Sequence, residues 1–190
     1  MRTALVLAGL LAALPTPSLA KQVNGVEFPE STVVEGKSLT LNGAGLRKKK
    51  VLFVGVDVYV AGLYVEAPSK DPAALVAADA PWVVRMVFLR DVDQKAIVNA
   101  FHEGFEANSK DQAAALAKQL DGAKQAIGDV KKGQELLVTY APGAGTTIKG
   151  PGGEARVEGK GFADGLLRNW IGPHPTDGEL KDLKKKLLGG

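Results

Sequence analysis

The residues best suited to chemistry in this sequence form a basic run behind a glycine-rich segment. Gly43-Ala44-Gly45 predicts a turn, Arg47 follows it, and Lys48-Lys49-Lys50 continues the run. A planar guanidinium forks onto a carboxylate or an enolate, but it cannot act as a general base near neutral pH. We therefore expect Arg47 to bind an anion. The three lysines are typical of a solvated turn; lysines also meet anionic membrane surfaces, a contact that no other feature of the sequence supports.

A carboxylate and a phenol lie close together in the most strand-like segment, residues 51–66. Alternate residues of a strand share a face, so the spacing predicts that Asp57 and Tyr59 face the same side. A carboxylate among valines needs a hydrogen-bond donor or an open cleft. Two interpretations stay open: a structural ion pair at Asp57, or a cavity that brings tyrosine, aspartate and arginine together.

The composition removes much of the usual catalytic repertoire. Among 190 residues there is no cysteine, and the two histidines are His102 and His174. Without cysteine there are no disulfides, thiolate metal sites or thiol nucleophiles, and two histidines do not indicate a metal site. We therefore expect no metal and no cofactor. No Gly-x-Ser-x-Gly nucleophile motif occurs, and a net charge of +3 is too small to indicate a nucleic-acid partner.

The elements that position these residues are predicted to begin after a signal peptide at residues 1–20. Its apolar run, 4–14, is too short to cross a bilayer, and Ser18-Leu19-Ala20 has the small-x-small pattern of a cleavage site. The alternative is a retained anchor or a buried N-terminal helix. With cleavage, residues 21–190 form one exported domain, and the lack of cysteine suits a Gram-negative periplasm.

The rest of the chain alternates between blocks of strands and blocks of helices. Strands are predicted at 23–28, 38–42, 51–66, 82–89, 134–140, 146–149 and 154–158, and helices at 93–108, 111–127, 161–171 and 177–188. This segregated order is typical of an α+β fold with an antiparallel sheet, and not of alternating βαβ units.

Three segments together resemble the chalcone isomerase family, specifically its exported bacterial chalcone-isomerase-like branch. They are residues 41–47 leading into Val58-Tyr59-Val60-Ala61-Gly62-Leu63-Tyr64-Val65-Glu66, the predicted helix around 95–105, and residues 161–188 with Trp170-Ile171-Gly172. The resemblance covers residues 22–189. It implies an open-faced β-sandwich-like fold, in which a large antiparallel sheet is covered by a layer of helices with a cleft between them.

The resemblance also implies what such a cleft can do. In the plant enzymes it closes a ring by adding a phenolate oxygen to an enone, with an arginine that stabilises the developing enolate. Non-catalytic relatives use a similar cavity for fatty acids, and the arginine then meets the carboxylate. Some fungal relatives hold haem.

Transferred residue by residue, the family's site is only partly present. The arginine matches Arg47, and the asparagine matches Asn99. The strand threonine falls at Tyr59, the catalytic tyrosine falls near Val92, and the C-terminal threonine falls at Asn169. The resemblance thus implies a cavity lined by Arg47, Tyr59, Asn99 and Asn169, with Trp170 as an apolar wall, in which the catalytic hydroxyl set is incomplete.

These observations favour an exported, non-catalytic, monomeric protein that binds a small amphipathic anion such as a fatty acid, anchored by Arg47. The enzymatic alternative is an isomerase, an intramolecular lyase acting on a chalcone-like phenolic enone. A third hypothesis is a haem-binding protein with His102 as axial ligand.

Overall fold

A seven-stranded sheet, in which the strands pair in chain order, is the frame of the molecule. The computed structural model describes residues 20–51 and 54–190. Except for Ala20, the predicted signal peptide lies outside the described residues, and so do Leu52 and Phe53 of the predicted strand 51–66. Each neighbouring pair in this sheet is antiparallel, which confirms the expected α+β fold with an antiparallel sheet.

The described residues contain nine strands and five helices. The strands are β1 Lys21–Val23, β2 Val26–Phe28, β3 Ser31–Val34, β4 Lys37–Val51, β5 Val54–Val65, β6 Trp82–Phe88, β7 Glu135–Ala141, β8 Gly145–Gly150 and β9 Gly153–Val157. The helices are α1 Pro72–Ala77, α2 Gln94–Asn108, α3 Ala113–Ala123, α4 Lys160–Ile171 and α5 Gly178–Leu187. Single 3-10 turns at Lys110–Gln112 and Lys124–Ala126 flank α3, and β1 pairs with β2 in a separate hairpin.

Aspartate side chains cap the N-termini of three of the helices. Asp71 caps α1, Asp93 caps α2 and Asp177 caps α5, each by accepting a hydrogen bond from a backbone N–H of the first turn. The predicted helices 93–108 and 177–188 begin at two of these caps. Among the helices that the structure describes, none combines the length and the apolar character needed to span a bilayer.

The two faces of the sheet are covered differently. The helices cover one face, which we call the helix face, and their apolar stripes join Ala61, Leu63, Met86 and Phe88 in the larger hydrophobic cluster. On the other face, the outer face, a smaller cluster gathers around Phe28 of the β1–β2 hairpin. A thick layer therefore lies between the sheet and the helices, and a cavity can form within it.

The glycine-rich segment is part of a strand, so the predicted turn at Gly43-Ala44-Gly45 is wrong. β4 passes through it without interruption, and α5 packs directly against it. A Cβ on Gly43 would lie 2.8 Å from the carbonyl oxygen of Leu187, and a Cβ on Gly45 would lie 2.6 Å from Cβ of Lys186. Glycine is needed here for the close approach of a helix to a strand.

A bulge in β5 changes which side chains share a face. Arg47 pairs with Tyr59 and Lys48 pairs with Asp57, so Val58 is left as the extra residue. Asp57 accepts a hydrogen bond from Asn24 of the β1–β2 hairpin at 3.2 Å, whereas Tyr59 packs in the helix-face cluster. The prediction that Asp57 and Tyr59 face the same side is therefore wrong, because alternation fails across the bulge.

Candidate functional site

A cavity of about 430 Å³ lies between the helix face of the sheet, the first half of α2 and the beginning of α5. Its wall is apolar, with Met86, Phe88, Val92, Ile97 and Phe101. Charged side chains line the part of the cavity formed by β4 and the start of α5, and α2 adds one more. They are Arg47, Lys49, Lys50, Asp177 and Glu179, with Glu103 on α2. The volume and the mixture of an apolar wall with a few polar groups are those of a site for a small molecule.

Arg47 lies at the junction of the apolar wall and the charged rim. Only 12% of its side chain is exposed. Its two terminal nitrogens donate to the two carboxylate oxygens of Asp177 at 2.9 and 2.6 Å, and Nη1 also donates to the carbonyl of Lys48. These bonds use three of the five N–H donors that a guanidinium carries, Asp177 occupies both terminal nitrogens, and the Tyr59 hydroxyl is a further hydrogen-bond partner of the guanidinium.

Asp177 holds this guanidinium while it caps a helix. Its Oδ1 also accepts the backbone N–H of Leu180 at 2.7 Å, at the first turn of α5. Burial acts to raise the pKa of the Asp177 carboxyl, but the hydrogen bonds from Arg47 and Leu180, with the charges of Arg47 and Lys49, hold that pKa below its ordinary value. The carboxylate is therefore ionised at neutral pH, and Arg47 and Asp177 form a pair of opposite charges.

One of the two open interpretations of Asp57 placed it in a cavity with Arg47 and Tyr59, but the aspartate found beside Arg47 is Asp177. Asp57 lies on the outer face, where Lys48 is 3.9 Å from it. The ion-pair interpretation of Asp57 is therefore correct, and the cavity interpretation holds for Asp177 instead. The one signal for Asp177 was its position at the start of a predicted helix.

Tyr59 forms the polar end of the cavity wall, and Trp170 lies behind it. The Tyr59 ring lies 5.4 Å from the ring of Phe88, and its hydroxyl accepts a hydrogen bond from the indole N–H of Trp170 at 3.2 Å. Burial raises the pKa of the Tyr59 hydroxyl, against the opposing charge of the Arg47 guanidinium. Trp170 is buried behind Tyr59 and packs edge-on against Phe101, so it supports the wall without lining the cavity.

The two asparagines lie away from the cavity. Asn99 is exposed on α2 and is not among the lining residues. Asn169 is buried between α4 and α2, where its Nδ2 donates to the carbonyl of Phe101 at 3.2 Å. The structure therefore brings together Arg47 and Tyr59 of the five predicted ligand-binding residues, with Trp170 directly behind them.

Val92 lines the cavity, and the resemblance places the family's catalytic tyrosine near this position. The cavity hydroxyls among the described residues belong to Tyr59 and Thr176. His102 faces α3 instead, with Nε2 3.9 Å from Asp121, so it cannot supply an axial ligand inside the cavity. Within residues 20–51 and 54–190, no cluster of three or more His, Asp or Glu side chains could hold a metal ion.

Together these features define an α+β domain with a half-enclosed apolar cavity and a largely buried, paired guanidinium at its edge. A family model described as chalcone isomerase-like matches residues 20–189. The chain belongs to the chalcone isomerase-like family.

A solved structure with a similar fold is the crystal structure of a fatty-acid binding protein from Arabidopsis thaliana. It superposes with a TM-score of 0.64 and covers 90% of this chain and 95% of its own, at 19% sequence identity. At this identity the likeness establishes the shared fold. None of the curated proteins compared with the chain matches it.

Proposed function

We propose that this protein is an exported, non-catalytic binding protein for a small amphipathic anion such as a fatty acid, with Arg47 as the contact for the carboxylate. The observation that carries the proposal is a guanidinium with 12% of its side chain exposed, at the edge of an apolar cavity. The function of the Arabidopsis neighbour, a fatty-acid binding protein, supports the same ligand class.

The energetics fit an amphipathic ligand. Each buried CH₂ group contributes about 0.8 kcal/mol, which is about fourfold in affinity. A hydrogen bond to a charged group contributes about 1.5–3 kcal/mol, and the low exposure of Arg47 protects that contact from solvent screening. The apolar wall therefore supplies most of the affinity, and the guanidinium selects the head group.

The cavity is less suited to isomerisation. A guanidinium does not accept a proton at neutral pH, and Val92 offers no hydroxyl where the resemblance places the catalytic tyrosine. Tyr59 and Thr176 are the hydroxyls that remain at the described cavity wall. This arrangement favours binding an anion over moving protons on a substrate.

The test is isothermal titration of residues 21–190 with dodecanoate and with dodecanol, which share the apolar chain and differ in charge. We expect Arg47→Met to weaken dodecanoate binding about 10- to 100-fold and to leave dodecanol within about twofold. Lys48→Met is the matched control, because it removes a neighbouring cation that lies outside the cavity. Equal dodecanoate affinity in Arg47→Met and the unaltered chain would contradict the anchor.

The isomerase alternative is tested on the same protein preparations. Ring closure of a 2′-hydroxychalcone is monitored through the decrease of the chalcone's visible absorption. Closure above the uncatalysed rate that disappears in Arg47→Met would replace the binding proposal with a catalytic one. Native mass spectrometry of the protein purified from its native host would identify a bound acid directly.

A further inference from the structure

We infer that Asp177 competes with the ligand for Arg47, so that an incoming carboxylate binds by displacing the Asp177 side chain from the guanidinium. The inference rests on the proposed function and adds to it the residue that sets how tightly a carboxylate binds. It also predicts which ligands are affected, because a neutral head group does not need a bidentate contact with the Arg47 guanidinium.

The contact geometry is the first support. Asp177 presents two carboxylate oxygens to two terminal nitrogens of Arg47, at 2.9 and 2.6 Å. A ligand carboxylate makes its strongest contact with a guanidinium in the same bidentate way. Since Asp177 already occupies the two terminal nitrogens, a second carboxylate reaches that edge of the guanidinium only when the Asp177 side chain leaves.

The difference in exposure shows which partner moves. The Arg47 side chain is 12% exposed, whereas that of Asp177 is 36% exposed. The Asp177 side chain therefore needs a smaller movement than Arg47 to become fully solvated. The apolar tail of the ligand stays in the cavity. Its carboxylate also keeps attractive surroundings after displacement, because the Leu180 N–H and the charge of Lys49 act on it independently of Arg47.

Displacement has a cost that is specific to anionic ligands. The ligand gains a bidentate contact with Arg47 while the protein loses the Arg47–Asp177 pair. Only the difference between these two interaction energies contributes to the binding free energy. A ligand with a hydroxyl head group leaves the pair intact and has no such cost. We therefore expect Asp177 to lower the affinity for carboxylates and to make their release faster, as suits a carrier.

Asp177→Asn separates the competitor role from the cap role. Asparagine retains a side-chain oxygen for the Leu180 N–H and is a good N-cap, but it presents one acceptor oxygen and no charge to Arg47. In titrations of residues 21–190, we expect Asp177→Asn to tighten dodecanoate binding about tenfold and to leave dodecanol within about twofold. Asp57→Asn is the matched control, with the same chemical change on the outer face.

A combined variant locates the effect. In an Arg47→Met background there is no guanidinium to free, so Asp177→Asn should no longer tighten dodecanoate binding. Equal dodecanoate affinity in Asp177→Asn and the unaltered chain, or equal tightening by Asp57→Asn, would overturn the competitor role and leave the proposed function standing. If no variant binds either compound, the proposed function is wrong and this inference is wrong with it.

Discussion

Arg47 has a structural role in addition to its proposed contact with a ligand. Its bonds to Asp177 connect β4 to the start of α5, across 130 positions of the sequence. Because the guanidinium is largely buried, removing Asp177 without replacement leaves a charge without its partner, which is costlier than losing an exposed pair. Asp177→Asn limits this cost, because asparagine still presents an acceptor oxygen to the guanidinium.

The ionisation of Asp177 gives a pH-dependent contribution to stability. Its pKa in the folded chain lies below its value of about 4 in the unfolded chain, so the contribution is complete above that pH and is lost as the pH falls through the folded pKa. We expect Asp177→Asn to lower the free energy of unfolding near pH 7 and to do so less near pH 3. Urea unfolding at the two pH values measures this. An equal loss at both would show that the charge contributes nothing.

At the scale of single residues, the predictions from the sequence depended on the register of the strands. Tyr59 lies beside Arg47 in the structure because β4 and β5 pair at these two residues. Asp57 was misplaced because the extra residue, Val58, inverts the alternation, and no sequence pattern marks that bulge. Asp177 could not be linked to Arg47, since only the packing of α5 on β4 brings them together.

The packing of α5 on β4 depends on the glycines of the strand. We expect Gly43→Ala to lower the free energy of unfolding by about 1–3 kcal/mol, because the new Cβ meets the backbone carbonyls of Lys186 and Leu187. Gly55→Ala is the control, since Gly55 lies in the neighbouring strand and its Cβ would meet nothing within 4 Å. Urea unfolding of both variants measures the difference. Equal unfolding midpoints in the two variants would mean that α5 moves away from β4 without loss of stability.

The contact between α2 and α4 is similarly close at a single glycine. A Cβ on Gly104 would lie 2.5 Å from Cγ of Asn169, a side chain buried between the two helices. We expect Gly104→Ala to lower the free energy of unfolding by about 1–3 kcal/mol. Gly122→Ala makes the same change in α3, where nothing lies within 4 Å of the new Cβ, and should raise it by about 0.5–1 kcal/mol. Thermal unfolding compares them; a stabilising Gly104→Ala would contradict the close packing.

Elements with a clear period or cap were the predictable ones. α2 and α5 begin at Asp93 and Asp177 as the sequence indicated, and β6 spans almost the predicted range. The single predicted strand 23–28 is a hairpin of β1 and β2, turning at Asn24 and Gly25. α1 was not predicted, because six residues are too few for an apolar period to appear. The glycines of β4 were assigned to a turn because their tertiary role, contact with α5, is invisible in the strand itself.

At the scale of the whole molecule, the order of elements predicted the fold class but not the place of the cavity. Blocks of strands and helices led to an α+β sheet, and the resemblance supplied the helical layer and a cleft between that layer and the sheet. The cavity depends on where α2 and α5 stand relative to the sheet, which follows from side chains that are far apart in sequence. The apolar residues that line it, such as Met86 and Phe101, look like ordinary core residues in the sequence.

Export is the remaining prediction for the whole chain, and it is compatible with the described fold. β1 begins at Lys21, directly after the predicted cleavage site, and Ala20 is exposed. Cleavage after Ala20 would therefore remove no part of the described strands and helices. We expect the full chain, expressed in a Gram-negative host, to appear in the periplasm with the intact mass of residues 21–190.

A variant at the cleavage site makes this prediction specific. Signal peptidases need a small residue immediately before the cut, so Ala20→Lys should block processing and keep the protein with the membrane fraction. A chain that begins at residue 21 without the leader is the control; it should stay in the cytoplasm and bind dodecanoate as the processed protein does. The full-length chain in the soluble cytoplasm with residues 1–20 still attached would show that this segment is not a signal peptide. The ligand would then have to come from inside the cell.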